Sequence, residues 1–297
     1  MTSKTTALLA LLLALTSSGY SDNTWTLDPE VQDKCLNVLR EGMQSDEFWP
    51  SMHAAEGLTV AGHGSEVQSH LAPKLDIEKD DQLRCGLARE LIRSGDLAKS
   101  GVMMQILQGE DPHGHVHAAE SLYKVGWEGS AEPLQKAFLE TDDIRLKLMA
   151  AAALAKHNKD GSGKEAYAFL REHLGTEPDP EIFRLSAWVL GRIGEDGDRD
   201  LIRSRLKDAD DPLVHAFLEN ALASLNDPAG QTALLRNLKS NDPAIRTYAA
   251  VFAGETGTVE AAPALILLLD DENLDMRIRA AQALLTLNQS LSVNEKK

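Results

Sequence analysis

The chain has 297 residues, 43% of them hydrophobic and only 5% aromatic, and a formal net charge of −16 at pH 7. That balance argues against a binder of phosphate backbones, which needs a basic face, and against an anionic membrane surface; it serves solubility.

The N-terminus reads as an export signal over residues 1–21. Lys4 precedes the apolar run 7–15, which is too short to span a bilayer, and Gly19-Tyr20-Ser21 places small residues at −3 and −1 of a cut before Asp22. The bland alternative is a frayed apolar terminus with no sorting role. No cysteine follows the run to accept a lipid, and no other stretch is long enough for a membrane helix. Cleavage would leave a secreted or periplasmic chain.

From residue 28 onward one pattern recurs about every 32 residues. A clear copy is Asp242-Pro243-Ala244-Ile245-Arg246, then Ala249-Ala250, then Gly257. With that Asp as position 1, position 16 falls at Gly62, Gly95, Gly126, Asn158, Gly194, Asn226, Gly257 and Asn288. A fixed period of this size marks an array whose units bury their apolar faces only by stacking. Each unit reads as two helices, A then B. Asp caps helix B, Pro is tolerated in its first turn, apolar residues recur at positions 4, 8, 11, 12 and 15, and Gly or Asn stops it. In chain order the pairs are 28–43 with 47–61, 65–77 with 80–94, 97–109 with 113–125 and 129–140 with 143–157. The remaining four are 163–174 with 179–193, 197–207 with 211–225, 228–240 with 242–256 and 258–270 with 273–287. Residues 22–288 form one domain and 289–297 a polar tail.

The Asp-Pro start, the Ala-Ala pair and the Leu-Gly-x-Ile-Gly end resemble HEAT-like repeats of the type named after phycobilisome lyases. The copy from Asp179-Pro180-Glu181-Ile182 to Leu190-Gly191-Arg192-Ile193-Gly194 carries this best. The resemblance implies an all-α fold, a right-handed α-solenoid of about eight helix pairs. It implies little about activity, since such relatives are mostly scaffolds and binding modules with a few enzymes. A bilin-lyase role is implied only by the repeat's name, and the export signal argues against it. The family's position-5 Arg, which ladders with the Asp of a neighbouring repeat, is matched by Arg84, Lys147, Arg246 and Arg277. Ser51, His115, Phe183 and His215 depart from it.

Cys35 and Cys85 are the only cysteines. They sit in helices of different units, so two buried thiols are favoured over a disulfide. A second repeated feature is His-Ala-Ala-Glu, at His53–Glu56 and His117–Glu120, positions 7 to 10 of helix B in units 1 and 3. Three residues apart on a helix puts imidazole and carboxylate on one face. Trp49, Arg89, Arg93, His113 and His115 lie on or beside that stripe, and Gly86 in unit 2 leaves a gap. Three readings stay open. In one, Arg89 bridges Glu56 and Glu120 in a structural network. In another, these nine residues (Trp49, His53, Glu56, Arg89, Arg93, His113, His115, His117, Glu120) line a cleft for an acidic or polyhydroxylated ligand. In the third, His53, Glu56, His117 and Glu120 bind metal, as in an iron-dependent HEAT-repeat hydroxylase family. That family's His-Glu pairs are adjacent, however, and these are separated by Ala-Ala.

Gly161-Ser162-Gly163-Lys164 is not a phosphate loop, because the required spacing of Gly and the Ser or Thr after Lys are missing. His63 and His70 read as surface residues, and the C-terminal half as ordinary core and partner surface. The expectation is a cofactor-free exported scaffold whose B-helix side holds a partner protein or a polysaccharide. The alternative is an enzyme or small-ligand binder acting through the pocket in units 1 to 3.

Overall fold

The computed structural model describes residues 25–157, 161–176 and 179–294. The segment 1–21, read above as an export signal, and the stop expected at Asn158 lie outside them. Among the described residues there are sixteen α-helices in eight antiparallel pairs. The A helices are α1 (Pro29–Met43), α3 (Gly64–Ile77), α5 (Ser100–Gln108), α7 (Glu132–Glu140), α9 (Gly161–Thr176), α11 (Asp198–Leu206), α13 (Pro228–Asn237) and α15 (Ala262–Leu268). The B helices are α2 (Phe48–Val60), α4 (Asp81–Arg93), α6 (His115–Val125), α8 (Ile144–His157), α10 (Pro180–Ile193), α12 (Pro212–Ser224), α14 (Pro243–Thr256) and α16 (Leu274–Asn294). No helix among the described residues is long and apolar enough to cross a membrane.

The local signals act as the repeat pattern implies. Asp80, Asp179 and Asp211 each accept from two backbone N–H groups at the start of their B helix, Asp143 and Asp242 cap theirs, and Asp111 caps the 3-10 turn Pro112–Gly114 that leads into α6. Unit 1 is the exception: Glu47 makes no side-chain cap bond. Gly62, Gly95, Gly126, Asn226 and Gly257 take positive φ and end their helices. Gly194 ends α10 in an extended conformation instead. Asn288 ends nothing, because α16 continues to Asn294; the tail expected from 289 begins as helix. Gly161 opens the first turn of α9, which starts earlier than the pattern suggested.

The array closes on itself. The last B helix, α16, packs against α1 and α2 of the first unit as well as against α14. At this seam the Leu27 N–H donates to Asn288 Oδ1 at 2.9 Å, and Lys34 Nζ meets the Asp270 carboxylate at 2.7 Å. A Cβ on Gly42 would stand 2.6 Å from Ile278 Cδ1, so the missing side chain is what lets α16 lie against α1. Each B helix therefore has a B neighbour on both sides, and the A helices form an outer wall. The solenoid of about eight helix pairs expected from the repeats is present, and its curvature, which the repeats leave open, closes the eight units into a ring. At about 9 Å between neighbours, opposite B-helix axes stand about 24 Å apart, a lumen that long side chains can fill.

Small residues set the curvature. Built Cβ atoms on Gly191 and Gly254 would lie 3.0 Å from Ala221 Cα and 2.8 Å from Ala283 Cα, so B-helix backbones nearly touch on the inner side. The core between the layers is continuous from Leu27 to Leu287. Cys35 and Cys85 are buried free thiols within it, and burial pushes both up to about 12.

Candidate functional site

The B helices present positions 7, 10 and 14 of several units to the lumen, and ring closure adds residues that the stripe in units 1 to 3 does not contain. Glu56 is held by Arg93 of unit 2 at 2.9 Å and by Arg279 of unit 8 at 3.3 Å. These guanidinium groups hold its carboxyl far below the usual range, against the opposing effect of burial. Arg93 also pairs with the fully buried Glu90 at 3.0 Å. Glu255 of unit 7 lies close enough across the lumen to help hold the Arg93 guanidinium charged. Arg192 of unit 5 pairs with Glu255 at 2.5 Å, and its guanidinium lies 4.3 Å from the Trp188 ring centre.

His53 does not face an open pocket. Its Nδ1 lies 2.6 Å from Asp275 Oδ1 of unit 8. Burial and the neighbouring Arg279 lower its imidazole to about 4, outweighing Asp275. The ring is neutral at pH 7, so an N–H at Nδ1 donates to the ionised Asp275. His117 sits 3.8 Å from Glu120, and Lys124 Nζ reaches Glu120 at 2.7 Å. Burial pushes the His117 imidazole down, while Lys124 and Arg89 take the Glu120 carboxyl to about 2 although burial opposes them.

Other expectations need correction. The gap left by Gly86 is filled: the Phe48 and Trp49 rings stand 2.8 and 3.3 Å from where its Cβ would be. Trp49 continues through that gap to meet His117 edge-on, ring centres 5.2 Å apart. Units 1 and 3 thus touch across unit 2, and Trp49 packs edge-on against Phe48 and His117 while staying 37% exposed. Arg89 does not hydrogen-bond Glu56 or Glu120; its Nε donates to Glu90 at 2.6 Å. His113 and His115 leave the stripe. His113 is exposed against Asp80 at 3.0 Å, which raises its imidazole, and His115 Nε2 contacts the Gly109 carbonyl at the end of α5. The metal reading meets carboxylates already engaged by arginine and lysine, and no group of three His, Cys, Asp or Glu suited to a metal occurs among the described residues. His63 and His70 are half-buried rather than surface residues.

The family ladder is realised at one position. Arg246 reaches Asp271 of the next unit at 2.9 Å. Arg84 pairs with Asp81 of its own helix, Arg277 donates to backbone carbonyls of its own turn, and Lys147 lies near the Phe138 and Phe169 rings.

The lumen residues missed by sequence reasoning are Lys156, Arg192, Glu255, Asp275 and Arg279. A signal was present for the basic ones: position 14 reads Arg93, Lys124, Lys156, Arg192 in four consecutive units. Nothing in the sequence places unit 8 against unit 1.

A family model described as HEAT repeats matches residues 131–222 and 206–285, together just over half of the chain. The "uncharacterized phycocyanin operon protein Z" of Pseudanabaena tenuis is 29% identical over 150 residues, 49% of this chain and 72% of that protein. Among solved structures, the complex of CpcE and CpcF of phycocyanin lyase from Nostoc is similar over 93% of this chain and 99% of that one. Its identity is 18% and its TM-score 0.48. Human deoxyhypusine hydroxylase is similar over 88% of this chain and 98% of that one, at 17% identity and TM-score 0.41.

Proposed function

Because the chain belongs to the HEAT-repeat family, whose stacked units offer broad binding surfaces, we propose that it is an exported scaffold that docks a partner protein on the rim of its ring. The inner B-helix face is occupied by its own ion pairs and rings, which moves binding from the concave side to the outside. The observation that carries the reading is the composition of the rim formed by the A-to-B turns. Every one of these eight turns carries at least one carboxylate, from Asp46 and Glu47 in unit 1 to Asp270, Asp271 and Glu272 in unit 8. Lysine occurs in three of them, as Lys79, Lys207 and Lys239. At the A-helix ends on the same rim, Ile77, Leu139 and Leu267 are 76, 66 and 70% exposed. Apolar anchors within an acidic field suit a basic protein surface, which the field would also steer.

In this reading the His-Ala-Ala-Glu motifs are structural fasteners: unit 1's copy ties the seam, and unit 3's copy ties Lys124 and Trp49. A polysaccharide cleft loses its support, because the space at Gly86 is filled. The name of the curated relative puts a phycocyanin-type subunit among the partners to test.

The experiment is capture on immobilised protein at two salt concentrations. An Ile77→Ser/Leu139→Ser/Leu267→Ser variant is compared with a Trp49→Ala/His117→Ala variant, both checked by circular dichroism. Partner protein held by the lumen variant, lost by the rim variant and weakened by salt supports the scaffold. Retention by the rim variant with loss from the folded lumen variant refutes it.

A further inference from the structure

Position 9 of helix B, the second member of the Ala-Ala pair, is alanine in seven of the eight units, from Ala55 to Ala281, and glutamate in unit 6, as Glu219. Five residues before the helix-B cap, the A helices carry an apolar residue in six units, among them Leu75, Phe138 and Leu206, but Asn237 in unit 7. These two polar side chains meet at one interface, and both residues are 6% exposed. A carboxylate where stacking needs only a methyl group costs stability unless it is paired. Two departures from the repeat at one contact point to a use other than packing.

They border a space. A cleft of about 320 Å³ opens between units 6 and 7, and Glu219 and Asn237 line it. It reaches the rim, since Asp210 belongs to the A-to-B turn of unit 6 and Ser240 to that of unit 7. Pro212, Ala216 and Ile245 give it apolar walls. Two carboxylates, Asp210 and Glu219, line it against one guanidinium, Arg236.

That guanidinium shows how the carboxylate is held in the free protein. Arg236 Nη2 donates to Glu219 Oε1 at 2.5 Å and Asn237 Nδ2 donates to Oε2 at 3.0 Å, with His215 Nδ1 3.4 Å from Oε1. The Arg236 side chain is 65% exposed and that of Glu219 is 8% exposed. Arg236 therefore meets the carboxylate with its stem in water and leaves the cleft unfilled. A guanidinium that replaces it and also lays its stem on apolar walls gains packing that Arg236 does not have.

We propose that this cleft receives an arginine side chain of the protein that docks on the rim. The inference rests on the rim-docking reading above and names the anchor it uses. The incoming guanidinium takes over Glu219, its methylene stem packs on Pro212, Ala216 and Ile245, and Arg236 is displaced into water. Arginine is the occupant because the site already holds a guanidinium, whose planar donors match a carboxylate. Arg236 is thus a stand-in for the partner's residue, and it competes with it.

The test is an NMR titration of the full chain with Nα-acetyl-arginine methylamide and, separately, with its uncharged citrulline counterpart, read at the Asn237 side-chain amide at constant ionic strength. The expected result is saturable binding of the arginine probe and none of the citrulline one. Arg236→Gln binds the probe at least threefold tighter, whereas Lys164→Gln, which removes an exposed positive charge on α9, stays within twofold of wild type. Glu219→Ala, which places the alanine of the other seven units at this position, weakens binding at least tenfold. Absence of saturable binding to Arg236→Gln overturns the proposal, as does equal binding of the citrulline probe or wild-type affinity in Glu219→Ala. Should Glu219→Ala fold poorly, Arg236→Gln decides: unchanged or weaker binding there overturns the proposal. No partner enters this titration, so its failure is separate from a failure of rim docking. Partner protein lost by the Ile77→Ser/Leu139→Ser/Leu267→Ser variant but held in full by Glu219→Ala leaves rim docking intact and overturns the arginine cleft.

Discussion

Removing His53 and Asp275 singly and together tests whether the ring is closed. The two residues are 222 positions apart in sequence and 2.6 Å apart in space. A neutral imidazole donating to a carboxylate contributes about 1.5–3 kcal/mol when well sheltered. The side chains are 20 and 28% exposed, so water competes and the lower end, about 1.5 kcal/mol, is expected. In an open solenoid units 1 and 8 would stand roughly 60 Å apart, and their coupling would be nil. Urea unfolding of wild type, His53→Ala, Asp275→Ala and the double variant, followed by circular dichroism with a common m-value, gives the coupling directly. Losses from cavities or from the Asp275–Arg279 contact cancel in the cycle. A coupling below about 0.3 kcal/mol would refute the closed ring.

Three further outcomes follow from the same geometry. Burial and Arg279 lower the His53 imidazole to about 4 in the fold from the ordinary 6.5 of the unfolded chain, so below 6.5 the unfolded chain takes the proton first. The stabilisation is present above 6.5 and lost as pH falls towards 4, at about 1.4 kcal/mol per pH unit. His70 and His117 shift the same way, and a pH series of unfolding midpoints should be flatter in His53→Gln. Gly254→Ala should destabilise by about 1–3 kcal/mol although alanine is the better helix former, because its Cβ would meet the Ala283 backbone at 2.8 Å; Gly101→Ala, with nothing within 4 Å, should be neutral or stabilising, and equal effects at the two sites would contradict the tight packing of α14 on α16. Glu56→Gln should cost about 2 kcal/mol in chemical denaturation, since it leaves Arg93 and Arg279 short of a shared carboxylate in a narrow lumen; an unchanged midpoint would show that Glu56 is dispensable to the seam.

Local order was legible because it depends on neighbours in sequence. Asp179, Asp211 and Asp242 cap helices through their own next two or three residues, and Gly62, Gly95 and Gly257 stop them through their own φ. The candidate site was legible only in part. Glu56 meets Arg93 between units 1 and 2, and His117 meets Trp49 across unit 2, whereas His53 turns to Asp275 of unit 8 and Glu120 to Lys124 of its own helix. His113 and His115 sit too near the start of their helix and turn to Asp80 and Gly109 instead. Gly86 showed correctly that space exists between units 1 and 3, but what fills it, the Phe48 and Trp49 rings, depends on how far neighbouring B helices tilt.

The sequence by itself determined the eight units, their helix pairs, the capping residues and the continuous core, since each follows from a period repeated within a few dozen residues. Only the tertiary structure decided that the array closes. Curvature accumulates from a small rotation at each interface, set by contacts such as Gly191 on Ala221 and Gly254 on Ala283, and no single repeat encodes the sum. Closure in turn decided which charges meet. Asp275 and Arg279, ordinary members of the last helix in the sequence, become the partners of His53 and Glu56 because the accumulated curvature brings the two ends of the solenoid together.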